Sequence, residues 1–349
     1  MALGAFLVID LVLVVLLLTH RGGRDTSTTG SSTSPTGSTT SSPRSSTTSS
    51  PTATTPAPHG LTAGLLSVVD ARNAWAGTKG DCAGGGATIS RTADGGATWT
   101  PAPEQPFAVL TRVDASSPTA AFVVGAGAGS GSSCPLSLRS TTSGGSTWAA
   151  PTTVANAWAL DLADPTRVHS TKGTTSTPCG KGDVTAFARS SDTTASVACA
   201  DATSRTTTDA GASWAKGPSM TSVTGLGSVY AMSYAGSGSA ARLAAAVATK
   251  DCAGVRILVA AAGKDFVPAA CVAAPVAGTT PATATTTPAS ATTSSTTATA
   301  TSSSSATPPA PSGPVALARQ GNSAGTLWLL VGTALWHGSA DLDTWSTSS

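Results

Sequence analysis

The sequence predicts an all-β domain assembled from repeated units of about four short strands. The first observation behind this prediction is an octapeptide, [ST]-x-D-x-G-x-[ST]-W, which occurs at 92–99 (TADGGATW) and at 207–214 (TTDAGASW). A third copy at 141–148 (TTSGGSTW) has Ser143 in the place of the acid. The second observation is that short apolar and β-branched runs, divided by Gly, Ser, Asp and Asn, precede each copy. This pattern is typical of antiparallel meanders and leaves no space for long helices.

The octapeptide has a local chemistry of its own. A short acid, Asp94 or Asp209, or the hydroxyl of Ser143, can accept backbone N–H groups, and the glycine two residues later supplies a positive φ. The tryptophan then packs a large ring against a neighbouring layer. Because none of this requires a substrate, we interpret the octapeptides as structural. Their glycines and tryptophans are Gly96, Gly145, Gly211, Trp99, Trp148 and Trp214.

The octapeptide resembles the Asp-box (BNR) repeat of sialidase-like and photosystem-assembly-factor-like β-propellers. The resemblance covers residues 60–349 and implies that each octapeptide is the turn between the third and fourth strands of a blade. Two degenerate copies of the octapeptide follow the three clear ones. The first keeps a turn glycine, Gly263, and has Phe266 where tryptophan stood, and the second, at 339–345, is one residue shorter and ends at Trp345.

The spacing of the repeated aromatic residues predicts the size of the propeller. Their intervals are 49, 66, 52 and 79 residues. The last interval contains a tract rich in Thr, Ser, Ala and Pro, at about 275–314, which we predict to be a disordered insertion. The 66-residue interval has room for an extra blade that lacks the octapeptide and begins at Trp158. With blades of roughly 40 to 50 residues, we expect a β-propeller of about five to six blades.

Individual strands are predicted from the same pattern. We interpret the segment 190–197 as a turn between a first and a second strand, and not as a further octapeptide. The predicted strands are 65–69, 74–78, 87–92, 108–113, 120–125, 136–140, 184–189, 196–200, 204–208, 242–248, 255–259, 327–332 and 334–337, with fourth strands that begin at 98, 147 and 213.

The N-terminal part of the chain has a different character. Residues 1–20 are predicted to form a transmembrane or signal-anchor helix, because 2–18 are apolar with the exception of Asp10. The poor signal-peptidase cleavage site favours an uncleaved anchor. Residues 21–59 predict a disordered linker rich in Ser, Thr and Pro. Arg21 and Arg24 oppose an external location of the domain under the positive-inside rule, whereas the downstream composition favours it.

The six cysteines predict disulfides and an oxidising location. They form no CxxC motif, and His169 is the only histidine between residues 60 and 336, so we predict no metal site. The sequence does not choose among the possible pairings. Pairs that each bracket about twenty residues of one blade are preferred, namely Cys179 with Cys199 and Cys252 with Cys271, which leaves Cys82 for Cys134.

Catalysis has to be judged from individual residues, because a fold does not give a function. The sialidase resemblance implies a tyrosine nucleophile assisted by glutamate, and this chain offers only Glu104 with Tyr230 or Tyr234. We expect no such pair to form, because Glu104 follows an outermost strand. A two-carboxylate glycosidase needs two suitably separated acids. Four aspartates at strand ends are candidates, although aspartate is also an ordinary turn former, and they are Asp70, Asp114, Asp161 and Asp183.

We therefore expect a single-pass, membrane-anchored β-propeller on the outer side of the cell membrane that acts as a non-catalytic binding or assembly module. A cell-surface or cell-wall glycan, or a surface protein, is the expected partner. The net charge of +2, with 10% charged residues, indicates no nucleic-acid partner, and no cofactor is predicted. The alternative is a glycoside hydrolase of the sialidase or two-carboxylate type.

Overall fold

The computed structural model describes residues 60–127, 134–154, 156–236, 241–273, 312–320 and 326–347. The predicted anchor helix (1–20), the predicted linker (21–59) and the predicted insertion up to residue 311 lie outside the described residues. Every regular element in the described part of the chain is a β-strand. No helix able to span a membrane occurs within these residue ranges.

The strands of the N-terminal half form three consecutive antiparallel units. Unit 1 contains β1 (Gly60–Val68), β2 (Ala74–Thr78), β3 (Thr88–Thr92) and β4 (Thr100–Pro101). Unit 2 contains β5 (Val109–Ala115), β6 (Ala121–Ala126), β7 (Ser137–Thr141) and β8 (Thr152–Thr153). Unit 3 contains β9 (Ala159–Leu160), β10 (Val168–His169) and β11 (Thr175–Ser176).

Three further units of four strands follow in the C-terminal half. Unit 4 contains β12 (Val184–Arg189), β13 (Ala195–Cys199), β14 (Ser204–Thr207) and β15 (Ala215–Lys216). Unit 5 contains β16 (Leu226–Ala235), β17 (Arg242–Thr249), β18 (Cys252–Ala260) and β19 (Val267–Val272). Unit 6 contains β20 (Ser312–Arg319), β21 (Leu327–Val331), β22 (Ala334–Gly338) and β23 (Trp345–Thr347).

The first and last units belong to one eight-stranded sheet. The N-terminal half of β1 pairs in parallel with β20, from Gly60 opposite Ser312 to Ala63 opposite Val315. The second half of β1, from Gly64 onward, pairs antiparallel with β2. A single strand therefore joins unit 6 to unit 1 by backbone hydrogen bonds.

Burial within the units follows a gradient from the second strand to the fourth. Every residue of β13 and β21 is buried, whereas the short strands β4, β8 and β15 are exposed. The buried strand β17 is rich in alanine, whose small side chain lets adjacent sheets approach closely. The fourth strands thus lie on the outside of the domain.

The core consists of apolar clusters between consecutive units. Separate clusters join units 1 and 2, units 3 and 4, units 4 and 5, and units 5 and 6, and another joins unit 6 back to unit 1. A smaller cluster includes Val109 of unit 2 and Leu162 of unit 3. The units therefore form a closed ring, which is the architecture of a β-propeller and agrees with the all-β prediction.

Most predicted strands coincide with observed ones to within a few residues. The segment that begins at Trp158 is a separate unit without an octapeptide, and 190–194 is the turn between β12 and β13, as predicted. The fourth strands begin later than predicted, at 100, 152 and 215, because the octapeptide backbone is held in the turn. Strand β20 begins at Ser312, inside the last residues of the predicted insertion, and was not predicted.

Candidate functional site

The octapeptide turns are held by side-chain hydrogen bonds. In the first copy, the Asp94 carboxylate accepts the Thr98 backbone N–H at 2.9 Å and the hydroxyls of Thr92 and Thr98 at 2.7 and 2.6 Å. The Thr92 hydroxyl in turn accepts the Gly96 N–H at 2.9 Å. Gly96 has a φ of 94°, a conformation that favours glycine. The first residue, the acid and the glycine therefore form one hydrogen-bonded turn.

The other two clear copies repeat this network. Asp209 accepts the backbone N–H of Ser213 at 3.0 Å and its hydroxyl at 2.6 Å. Ser143 accepts only one backbone N–H, from Thr147 at 3.0 Å, and shares a hydroxyl contact with the same residue. These hydrogen bonds lower the pKa of Asp94 to about 2 and hold the pKa of Asp209 still lower. Both acids are thus turn-forming carboxylates.

The aromatic residues of the octapeptides lie between neighbouring units. The indole N–H of Trp99 donates to Thr333 O of unit 6 at 2.8 Å, that of Trp148 to Glu104 O at the end of unit 1 at 3.0 Å, and that of Trp214 to Ser176 Oγ of unit 3 at 2.9 Å. Each tryptophan therefore contacts the unit that precedes its own around the ring. Trp148 is buried, but Trp99 and Trp214 are half-buried.

The two degenerate copies also lie at interfaces between neighbouring units. Phe266 is buried against unit 4, and its backbone N–H donates to Ser219 O at 3.0 Å. Gly263 keeps the positive φ of the turn glycine, at 68°. In the last copy, Leu342 takes the positive φ at 67° and is fully buried, while Trp345 is half-buried against the core between units 5 and 6. The repeat therefore tolerates loss of the acid and of the glycine.

Three disulfides join the pairs that the spacing favoured, Cys82–Cys134, Cys179–Cys199 and Cys252–Cys271. The first pair links a loop of unit 1 to a loop of unit 2, and the third links two strands of unit 5. The second pair joins the connection after unit 3 to β13 of unit 4, so the expectation that it lies within one blade was wrong.

A cavity of about 430 Å³ lies at the centre of the ring. All six first strands, β1, β5, β9, β12, β16 and β20, contribute to its wall. Much of this wall is apolar, and it includes Leu66, Phe187 and Leu317. A concave site lined by several units is the usual place for a ligand in a ring-shaped fold, so this cavity is the candidate functional site.

The charged residues of the cavity wall are mainly basic. Asp114 is the one carboxylate that the described residues contribute, and it is shared between two arginines. The Arg112 Nε–H donates to Asp114 Oδ2 at 2.6 Å, and the Arg189 Nη2–H donates to Asp114 Oδ1 at 2.5 Å. Lys79 and Arg319 also line the cavity, and neither has an acidic partner among the described residues. The cavity therefore carries an excess of positive charge.

The residues predicted for a sialidase-like reaction lie apart. Glu104 is exposed outside the cavity, 3.5 Å from Arg139. Tyr230 is in the cavity wall and is only 4% exposed. Tyr234 lies between units, where its hydroxyl is 2.6 Å from Ser196 Oγ. Within the described structure, neither Tyr230 nor Tyr234 contacts Glu104.

The remaining candidate acids serve local structure. Asp70 accepts the backbone N–H groups of Arg72 and Asn73 in the turn after β1. Asp161 is 3.0 Å from His169 Nε2. Asp183 is exposed and precedes β12, and its backbone oxygen accepts the Ala200 N–H. Unlike Asp114, these three do not line the cavity, so the described part of the wall lacks the acid pair of a two-carboxylate glycosidase.

Comparisons with known proteins identify only distant structural similarity. No family model and no curated protein matches the sequence. Among solved structures, YCF48 bound to a D1 peptide is similar at 16% identity over 83% of this chain and 82% of that one, with a TM-score of 0.36. A GH74 enzyme from Niastella koreensis is similar at 12% identity over 81% of this chain and 37% of that one, with a TM-score of 0.28. The xyloglucan-locus GH43B protein of Bacteroides ovatus is similar at 10% identity over 81% and 50% of the two chains, with a TM-score of 0.36.

The sequence did not single out two of the cavity cations, Lys79 and Arg319. Lys79 directly follows a second strand, and Arg319 ends a first strand that was hidden behind the low-complexity tract. Arg319 could have been found from its position in the repeat. A charged residue at the end of a first strand lies at the ring centre, as Arg189 also does. Within the described residues, no group of three or more His, Cys, Asp and Glu side chains is placed to hold a metal ion.

Proposed function

We propose that the chain is a six-bladed β-propeller of the Asp-box class that acts as a non-catalytic binding or assembly module. Its ligand, a cell-surface glycan or protein, binds in the central cavity. The N-terminal segment anchors the protein in the cell membrane, and the propeller lies on the extracytoplasmic side.

The observation that carries this proposal is the chemistry of the cavity wall. Asp114 is engaged by two arginines, whose hydrogen bonds occupy both of its carboxylate oxygens. A carboxylate whose two oxygens are both bound by arginines is poorly placed to donate a proton to a leaving group or to attack a sugar carbon. Tyr230 has no carboxylate to activate it among the described residues, so the described part of the cavity wall contains neither the tyrosine–carboxylate pair nor the two free acids of a glycosidase.

The extracytoplasmic location is supported by the cysteines and by the N-terminal sequence. All six cysteines are paired in disulfides, which persist mainly in oxidising compartments. The apolar run of residues 1–20 has the composition of an anchor.

The test of non-catalytic function is an activity screen on the full-length protein. Fluorogenic sialosides and a panel of β-glucosides are incubated with the wild type and with Glu104→Gln, Tyr230→Phe and Asp114→Asn, and Asp183→Asn serves as the control outside the cavity. We expect no turnover by any of these proteins. Turnover that Asp114→Asn or Tyr230→Phe abolishes, and that Asp183→Asn retains, would establish the glycoside hydrolase alternative.

A binding screen complements the activity screen. Glycan arrays, cell-wall fragments and surface-protein extracts are probed with the same full-length protein, and binding without turnover is the expected result. Retention of all binding after Arg189→Gln and Arg319→Gln are combined would show that the ligand does not occupy the central cavity.

A further inference from the structure

Lys79 is the only lysine of the chain that is not exposed to solvent. It is half-buried and forms part of the wall of the central cavity, where it is the only charged residue, among those described, that does not belong to a first strand. The other lysines are exposed and lie outside this wall, and they are Lys172, Lys181, Lys216, Lys250 and Lys264. The fold therefore gives one amine side chain surroundings that no other lysine has.

The backbone around Lys79 is closely packed. The Lys79 carbonyl oxygen accepts the Leu110 N–H at 2.7 Å, which joins the end of the second strand of unit 1 to the first strand of unit 2. A Cβ at Gly80 would lie 2.6 Å from Ala108 O and from Ala87 N, so the chain directly after Lys79 has no room to shift. The place of Lys79 in the cavity wall is therefore fixed by the folded ring.

No acid of the propeller pairs with the Lys79 ammonium. All acids of the chain apart from Asp10 and Asp25 belong to the described residues, and those two lie before residue 60. The ion pairs that the described acids form involve other cations. The amine of Lys79 is thus withdrawn from water without a charged partner.

The other charged groups near this amine are engaged elsewhere. The remaining charged residues of the described cavity wall are Arg112, Asp114, Arg189 and Arg319. Asp114 accepts hydrogen bonds from two arginines through both of its oxygens. Asp81, two residues after Lys79, accepts backbone N–H groups of its own turn. No described acid therefore stabilises the charged form of Lys79.

An unpaired ammonium group that loses hydration is destabilised relative to the neutral amine. Burial accordingly lowers the pKa of Lys79, and burial is the single cause of this change. The neutral amine carries a lone pair, and a desolvated lysine is one form of activated nucleophile. Lys79 is therefore more nucleophilic at neutral pH than the exposed lysines.

The electrophile that suits such an amine is a carbonyl carbon. The neutral Nζ adds to the carbonyl carbon of an aldehyde, so that a C–N bond forms and the π electron pair moves to oxygen. The oxygen then leaves as water with the two amine protons, and a C=N bond remains. No oxidant or reductant is consumed. Apolar side chains form much of the cavity wall and shield an imine there from bulk water.

We propose that Lys79 is a carbonyl-capture site, at which small aldehydes that enter the central cavity form an imine with the Lys79 amine. The cavity volume of about 430 Å³ restricts the site to small molecules. This inference goes beyond the proposed function, because it concerns the reactivity of one side chain and not the ligand that the propeller recognises.

The experiment measures how fast each lysine of the full-length protein reacts with propanal and sodium cyanoborohydride, which reduces an imine to a stable secondary amine. Peptide mass spectrometry follows every lysine in one sample, so the exposed lysines are internal controls. Lys79→Arg keeps the positive charge but cannot form an imine, and Lys216→Arg is the matched change at an exposed lysine. Dextran that carries aldehyde groups is the size control, because a polymer cannot enter the cavity.

We expect Lys79 to react with propanal at neutral pH at least about tenfold faster than the median exposed lysine, because burial favours its neutral amine. This advantage should decrease toward about pH 10, where the exposed lysines also begin to lose their protons. It should disappear in guanidinium chloride, which exposes every lysine. Dextran aldehyde should modify the exposed lysines and spare Lys79. Lys79→Arg should abolish only the modification at 79, and Lys216→Arg should leave that modification unchanged.

Three results would overturn the inference. One is a Lys79 rate at neutral pH that is equal to or below the rate of the exposed lysines. Another is a high Lys79 rate that persists in guanidinium chloride, which would assign the reactivity to the local sequence and not to the cavity. The third is modification of Lys79 by dextran aldehyde, which would place the amine on the open surface. Each of these results leaves the proposed function intact, because the glycosidase and binding screens do not depend on an imine.

Discussion

Replacement of Trp148 by alanine tests whether the octapeptide tryptophans hold adjacent units together. Trp148 is 8% exposed, and its ring packs edge-on against Trp75 of unit 1 with centroids 6.5 Å apart. Its indole N–H also donates to Glu104 O at 3.0 Å. A large-to-small change at a buried tryptophan costs about 3 to 5 kcal/mol, and the lost hydrogen bond belongs to the same total.

Trp99 provides an internal comparison. It occupies the equivalent position between units 6 and 1 but is only half-buried, so it removes less apolar area from water. At roughly 25 cal/mol per Å², half the buried area corresponds to about 2 kcal/mol for Trp99→Ala. The structure therefore predicts a larger loss at 148 than at 99, although both residues end the same sequence motif.

The measurement is urea-induced unfolding of the full-length protein with both variants, followed by fluorescence and circular dichroism. Val267→Ala is the control, because Val267 is 60% exposed and its truncation should cost less than about 0.5 kcal/mol. A loss below about 1 kcal/mol for Trp148→Ala would refute the interface role, since truncation of a buried tryptophan typically costs about 3 kcal/mol or more. An equal loss for the two variants would refute the argument from burial.

Three further outcomes follow from the structure. Hydrogen bonds in the folded protein hold the pKa of Asp209 below its usual value, so its contribution to the free energy of unfolding should be complete above about pH 4 and decrease as the pH falls. Thermal unfolding of Asp209→Asn should accordingly depend less on pH, between 7 and 3, than that of the wild type. Removal of the Cys82–Cys134 disulfide, which closes 52 residues, should cost about 4 kcal/mol, and six free thiols in protein isolated with thiol trapping would contradict the pairing. Gly125→Ala should destabilise by about 1 to 3 kcal/mol, because the new methyl group meets backbone and the Phe107 ring, whereas Gly182→Ala should have little effect in the same unfolding assay.

The repeat was readable from the sequence because its hydrogen bonds are local. The Thr92 hydroxyl, the Asp94 carboxylate and the positive φ of Gly96 all belong to the same eight residues. The sequence of the octapeptide is therefore sufficient to predict its turn. The same reasoning explains why Phe266 was recognised as a substitute for tryptophan. Strand boundaries were less accurate where the fourth strand follows the turn, because pairing there depends on the neighbouring strand.

The disulfide pairs were favoured by spacing alone, but their structural roles were not. Cys252 and Cys271 lie on adjacent strands of one unit, where a short sequence separation implies proximity. Cys179 and Cys199 have a similar separation and yet connect the end of unit 3 to unit 4. The two disulfides differ because unit 3 has only three short strands and ends before Cys179. The sequence indicated this unit only as a segment without an octapeptide.

The sequence by itself thus determined the all-β class and the repeated turn, since each follows from contacts or strand order within about one repeat. Tertiary structure alone decided which charges meet at the centre of the ring. Asp114 and Arg189 are 75 residues apart, and Lys79 and Arg319 belong to opposite ends of the domain. These residues share one cavity because ring closure brings the first strand of every unit to a common axis. No local sequence pattern determines which residues of distant repeats become neighbours there.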